Sequence, residues 1–78
     1  MTKEDIQKCL THPKNGENNR KLLAFCSEPR TFGEMGKSGV KGDVFNVVVE
    51  LKKAGALEFA DGKYVSTQLA MEVLKSLQ

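Results

Sequence analysis

Apolar positions recur along this chain in two rhythms, one helical and one alternating. Ile6, Cys9 and Leu10 fall at helical spacing and make a narrow stripe. Thr2, with Asp5 three residues on, predicts a capping box that opens this first helix. His12-Pro13 ends it, because the residue before a proline is pushed out of the α region. After a loop at Lys14-Asn15-Gly16, a second helix is expected from about Glu17 to about Cys26, with Leu22, Leu23 and Cys26 on one face and Phe25 beside them. Ser27-Glu28-Pro29-Arg30 is a break. Thr31 and Glu34 then form a second capping box, opening a short helix whose buried side is Phe32 and Met35. Glycines at 36, 39 and 42 loosen the next stretch of chain, and a tight turn is expected between Gly36 and Val40.

A fourth helix is expected from about Val40 or Lys41 to Ala54, with Gly55 placed to cap its C-terminus. On a helical wheel Val40, Val44, Val47, Val48 and Leu51 share the core arc. Gly42, Asp43, Asn46, Val49, Glu50 and Lys53 lie opposite, and Phe45 sits on the flank with Lys41 and Lys52. The rhythm then changes. Ala56–Ala60 and Lys63–Ser66 read as two strands joined by Asp61-Gly62, a signal for a two-residue type I′ hairpin, with Leu57, Phe59, Tyr64 and Val65 as its large residues. Ser66-Thr67 starts a last helix, on which Leu69, Val73 and Leu77 share one arc, Ala70 and Leu74 widen it, and Met71 lies further round. The core is expected to gather Val44, Val48 and Leu51 with Leu22, Leu23, Phe32 and Leu57. The fold class is mainly α with a small β-hairpin, an α+β domain of five helical segments and two strands.

The stretch Thr31-Phe32-Gly33-Glu34-Met35, then Ser38-Gly39-Val40, then Val44, Val48 and Leu51-Lys52-Lys53-Ala54-Gly55-Ala56-Leu57, then Asp61-Gly62-Lys63-Tyr64-Val65-Ser66-Thr67, resembles small prokaryotic winged helix-turn-helix regulators. These are of the arsenical-resistance-repressor and multiple-antibiotic-resistance-repressor kind. The likeness covers about residues 18–77. It implies one domain over 1–78, with the helix-turn-helix at about 31–54, the hairpin as a wing at about 56–66 and a C-terminal helix at about 67–77. It also implies double-stranded DNA as partner, bound by the fourth helix and the wing, and a role in transcription regulation.

Charge complicates that implication. Twelve basic residues against ten acidic ones leave only +2 over 78 residues. Residues 1–40 hold seven basic and five acidic groups, and residues 41–78 hold five of each, so the half with the recognition helix and wing is neutral. Asp43 and Glu50 on the outer arc would face a polyanion, whereas affinity for DNA comes chiefly from neutralising phosphates. Binding is therefore expected to be weak. Arg30, Lys37, Lys41 and Lys63 are the expected phosphate contacts, with Lys53 on the outer arc. Thr31 and Ser38 supply neutral hydrogen bonds, and Asn46 suits an adenine edge.

A second reading treats the domain as a protein-interaction module, since a fold does not fix a function. Phe45 and Val49, at i and i+4 outside the core arc, would form an apolar patch, and Met71 and Leu74 would broaden the last helix into an interface. A homodimer or a different protein partner would fit such a surface.

Other chemistry is sparse. Cys9 and Cys26 are expected as free thiols that pack like small hydrophobes. Cys9, His12 and Cys26 lack the close cysteine pair and fourth ligand of a structural zinc site, so no metal or other cofactor is expected. No nucleophile–base–acid arrangement stands out, which argues against an enzyme. Glycines 33, 36, 39 and 42 do not follow a strand and open a helix as a dinucleotide loop does; they are read as turn glycines that let two helices approach. No apolar run is long enough to span a bilayer, and the polar start Met1-Thr2-Lys3-Glu4-Asp5 is unlike a signal segment, so the expected address is the cytoplasm.

Overall fold

The computed structural model describes residues 3–77, so the expected Thr2 cap lies outside the described residues. The chain runs α1 (Lys3–Leu10), α2 (Gly16–Phe25), a 3₁₀ helix (Phe32–Lys37), α3 (Val44–Lys53), β1 (Leu57–Ala60), β2 (Lys63–Ser66) and α4 (Gln68–Ser76). Five helices and an antiparallel two-stranded hairpin make a mixed α+β domain, in an order compatible with a winged-helix arrangement.

The apolar stripes meet in one core. Ile6 and Leu10 of α1, Leu22 and Leu23 of α2, Met35, and Leu51 of α3 are fully buried, joined by Val47, Val48 and Leu57. Each such aliphatic side chain contributes about 1.5–3 kcal/mol by leaving water. α4 packs against both α1 and α2. That double contact needs a wide stripe, and Ala70, Val73 and Leu74 supply it.

Two expectations about the core need correction. Phe32 is 47 % exposed, and Val44 is only half-buried. Phe32 opens the 3₁₀ helix at its outer end, where its neighbour is the Phe45 ring, and Met35, one turn on, reaches the core instead.

The start of α3 also differs from the expected Val40 or Lys41. Gly39 and Gly42 sit at φ 87° and 90°, outside the helical region, so the turn extends to Gly42 and the helix begins after it. Asp43 is the N-cap, its Oδ1 accepting the Phe45 N–H at 3.0 Å. The helix stops in a Schellman motif: Gly55 N–H donates to Lys52 O at 3.0 Å and Ala56 N–H to Leu51 O at 2.8 Å.

The expected close approach at the turn glycines is absent at Gly36 and Gly42, where an added Cβ would meet nothing within 4 Å. It occurs at Gly16 instead, where a Cβ would lie 2.7 Å from Leu10 O. Here α2 begins against the end of α1. Asn19 Nδ2 donates to Cys9 O at 2.7 Å, and Arg20 donates to Leu10 O. His12 Nδ1 accepts the N–H groups of Lys14 and Asn15, both at 3.1 Å, and so shapes the turn between the two helices.

The hairpin pairs Leu57 with Ser66, Phe59 with Tyr64 and Ala60 with Lys63 across Asp61-Gly62, whose φ values of 54° and 76° match a type I′ turn. Its root is tied down. Ser66 Oγ donates to Leu23 O at 2.6 Å and Ser66 N–H to Cys26 O at 2.8 Å, while Thr67 N–H donates to Ala56 O at 3.0 Å. Arg30 adds a single bridge on the free side of β2, opposite Tyr64.

Candidate nucleic-acid interface

The 3₁₀ helix, the glycine-containing turn, α3 and the hairpin are consecutive in the chain and frame one face. Local hydrogen bonds fix each piece. The Thr31–Glu34 capping box is present: Thr31 Oγ1 accepts the Glu34 N–H at 3.3 Å, and Thr31 N–H donates back to Glu34 Oε1 at 2.9 Å. That returned bond, more than any other influence, holds the Glu34 carboxyl below its ordinary range. Ser38 Oγ donates to Met35 O at 2.6 Å and accepts from Val40 N–H at 3.4 Å. The hydroxyls of Thr31 and Ser38 are thus engaged in holding the turn. Asn18 pins the other end of the turn to α2 through the Lys41 backbone.

Arg30 is largely built into the fold. Its guanidinium stacks 4.8 Å from the Phe25 ring centroid, Nε donates to Phe25 O at 3.3 Å, and Nη2 lies 3.8 Å from Glu28. Lys37, Lys41, Lys53 and Lys63 differ from it. All four are exposed, and among the described residues none forms an ion pair.

The carboxylates of the α3 segment are placed less adversely than the wheel suggests. Asp43 is turned back to cap its own helix, where the dipole favours a negative charge. Glu50 is exposed and lines a polar groove of about 330 Å³ between α2 and α3, together with Asn18, Asn19, Lys41, Asp43 and Asn46. It does not pair with Lys53; its charge acts on Cys9, whose thiol is pushed up first by burial and then by Glu50. Asn46 therefore stands at the edge of that groove, on the exposed side of α3.

The aromatic residues of this face are only partly foreseen: Phe45 is exposed as expected, and Phe32 joins it at the surface. Phe45 is 59 % exposed and meets Phe32 edge-to-face at 6.3 Å between centroids. Phe59 is 54 % exposed and packs at 4.7 Å against Tyr64, its cross-strand partner. Lys52 Nζ lies 6.0 Å from both of those ring centroids. Two signals in the sequence bring this cluster together. The two-residue turn sets Phe59 opposite Tyr64, and a spacing of seven puts Lys52 on the Phe45 side of α3. Val49, between them, is half-buried.

Of the other residues expected at a protein interface, Met71 is half-buried beside a shallow groove of about 400 Å³ with Ala24, Ser27 and Leu74. Leu74 is only 4 % exposed, which corrects its assignment to an outer surface: its side chain completes the packing of α4. No helix among the described residues is long and apolar enough to cross a membrane. Comparison with family models, with curated proteins and with solved structures finds no match to this chain.

Proposed function

We propose that this chain binds duplex DNA through α3 and the hairpin, as a transcription regulator of the winged-helix kind. The observation that carries this reading is the set of exposed lysines, 37, 41, 53 and 63, none of which forms an ion pair among the described residues, although Lys63 lies near enough to Glu34 to act on its charge. The use of Asp43 as the cap of α3 supports it. Phosphate contacts would fall to these lysines, and Asn46 would read a base edge. A cytoplasmic place of action fits two free thiols.

The test is fluorescence anisotropy of labelled duplex DNA of random sequence across a salt series. Four phosphate contacts predict a slope of log affinity against log salt of about −3 to −4. Absence of binding at low salt would refute the reading.

A second reading, a protein-interaction module, is favoured by the exposed Phe32–Phe45 pair, because apolar rings on a helix-turn-helix face suit a protein groove as well. Under it, Phe45→Ala with Val49→Ser would remove partner binding at little cost in stability, and Lys41→Ala would change nothing.

A further inference from the structure

Four rings lie along one strip of the face: Phe32 and Phe45 at one end, Phe59 and Tyr64 at the other. Phe45 and Lys52 are seven residues apart on α3, which is about 10 Å along its axis and about 20° around it. The two ring pairs are therefore separate stations, with Lys52 leaning toward the hairpin pair. Three of the rings are about half exposed or more, with Phe32 at 47 %, Phe45 at 59 % and Phe59 at 54 %. Lys52 is exposed and forms no ion pair among the described residues, whereas Lys53 turns away toward α1.

Continuous duplex makes poor use of such rings, because its bases are stacked on one another and offer only their edges. Unpaired bases offer their faces. Aromatic side chains interleaved with cations are the combination that holds a single strand: each ring takes a base by stacking, and the ammonium groups take the phosphates between. The positive charge beside the strip argues for a nucleic-acid occupant over a purely apolar one.

We infer that the strip Phe32–Phe45–Lys52–Phe59–Tyr64 binds unpaired bases, so that the preferred ligand is DNA in which a duplex adjoins a single strand. This rests on the DNA-binding reading and narrows it. The lysines of the turn and hairpin hold the duplex, and the rings hold the unpaired tail.

The experiment compares three end-labelled ligands by anisotropy at one salt concentration: a blunt duplex, the same duplex with an oligothymidylate tail, and the tail alone. The tail should tighten binding at least about tenfold, since each base stacked on a ring adds to the affinity. Phe45→Ala with Phe59→Ala should return the tailed ligand to the blunt-duplex affinity and leave blunt binding and its salt slope unchanged. Both rings are exposed, so a thermal melt should show the double variant folded. Tyr64→Leu, which keeps an apolar side chain against the hairpin and removes the ring, should act in the same direction. Blunt binding with no gain from the tail would overturn this inference and leave the duplex reading standing. Binding of none of the three ligands would overturn both. No DNA binding together with self-association that Phe45→Ala abolishes would overturn it in favour of a protein-docking face.

Discussion

The side-chain amide of Asn18 grips both peptide groups of Lys41, donating to its carbonyl at 2.8 Å and accepting its N–H at 3.1 Å. A residue of α2 thereby closes the turn that precedes α3. Each bond contributes about 1 kcal/mol or less, since the site is exposed. Asn18→Ala should lower stability by about 1 kcal/mol, or about 4–8 °C in melting temperature for a domain of this size. It should also weaken DNA binding, because Lys41 loses its fixed position. An unchanged melt would show that water replaces the amide without cost.

Val48 is 2 % exposed at the centre of α3's inner face. Val48→Asp should unfold the domain, since an unpaired buried charge costs several kcal/mol. Circular dichroism on heating would show it, and a melt like that of the parent would refute the helical register.

Burial pushes the Cys26 thiol from its ordinary 9.0 up to about 11, and nearby Arg30 opposes this only in part. The folded state thus holds this proton more tightly than the unfolded chain. Stability is undiminished below about pH 9 and declines as pH rises from there toward 11, by of order 2 kcal/mol. Cys26→Ala should lack this part of the alkaline decline in denaturant titrations at pH 8 and 10.5. Cys9, the more exposed of the two thiols, should react first with a thiol reagent at pH 8.

Asp43 and Glu50 separate charge from structure. Asp43→Asn keeps a good N-cap and removes the charge, whereas Asp43→Ala also costs about 1 kcal/mol of stability. Asp43→Asn and Glu50→Gln should each tighten duplex binding, most at low salt, and Lys41→Ala should weaken it. Indifference of DNA affinity to all three changes would remove α3 from the interface.

Met71 and its shallow groove are what remains of the apolar breadth expected of the last helix. Pairing of two copies through this patch predicts a doubled mass by sedimentation equilibrium at micromolar concentration, and Met71→Glu should restore the single-chain value. A constant mass near 8.6 kDa for the parent would exclude such pairing.

Most of the fold is legible in the sequence because the chain follows local rules. The Thr31–Glu34 capping box, the Asp61-Gly62 turn, the Gly55 stop and the Leu22–Leu23 stripe all act within a few residues of themselves. Differences arise where two elements decide together. The start of α3 depends on Gly42 adopting positive φ and on a hydrogen bond from Asn18, 23 residues earlier, and periodicity carries neither signal. Leu74 reads as surplus because the number of helices touching α4 is a tertiary fact. Phe32 reads as buried because hydrophobicity does not show which end of a short helix faces solvent. The face is less legible than the core: Glu50 and Asn46 fall on the right arc, but the groove they line together with α2 cannot be read from a wheel.

Ser66 and Arg30 have a mechanical consequence. One anchors the root of the hairpin to the last turn of α2, and the other joins the segment before the 3₁₀ helix to the flank of β2. The arms that carry Phe59 and Phe32 are thus clamped to the same frame, and the gap between the two ring pairs is set when the chain folds. On the proposed reading, the domain is a calliper of fixed opening. A ligand that fits meets a surface already in position and loses little affinity to ordering, while one of the wrong span cannot be met by closing the jaws.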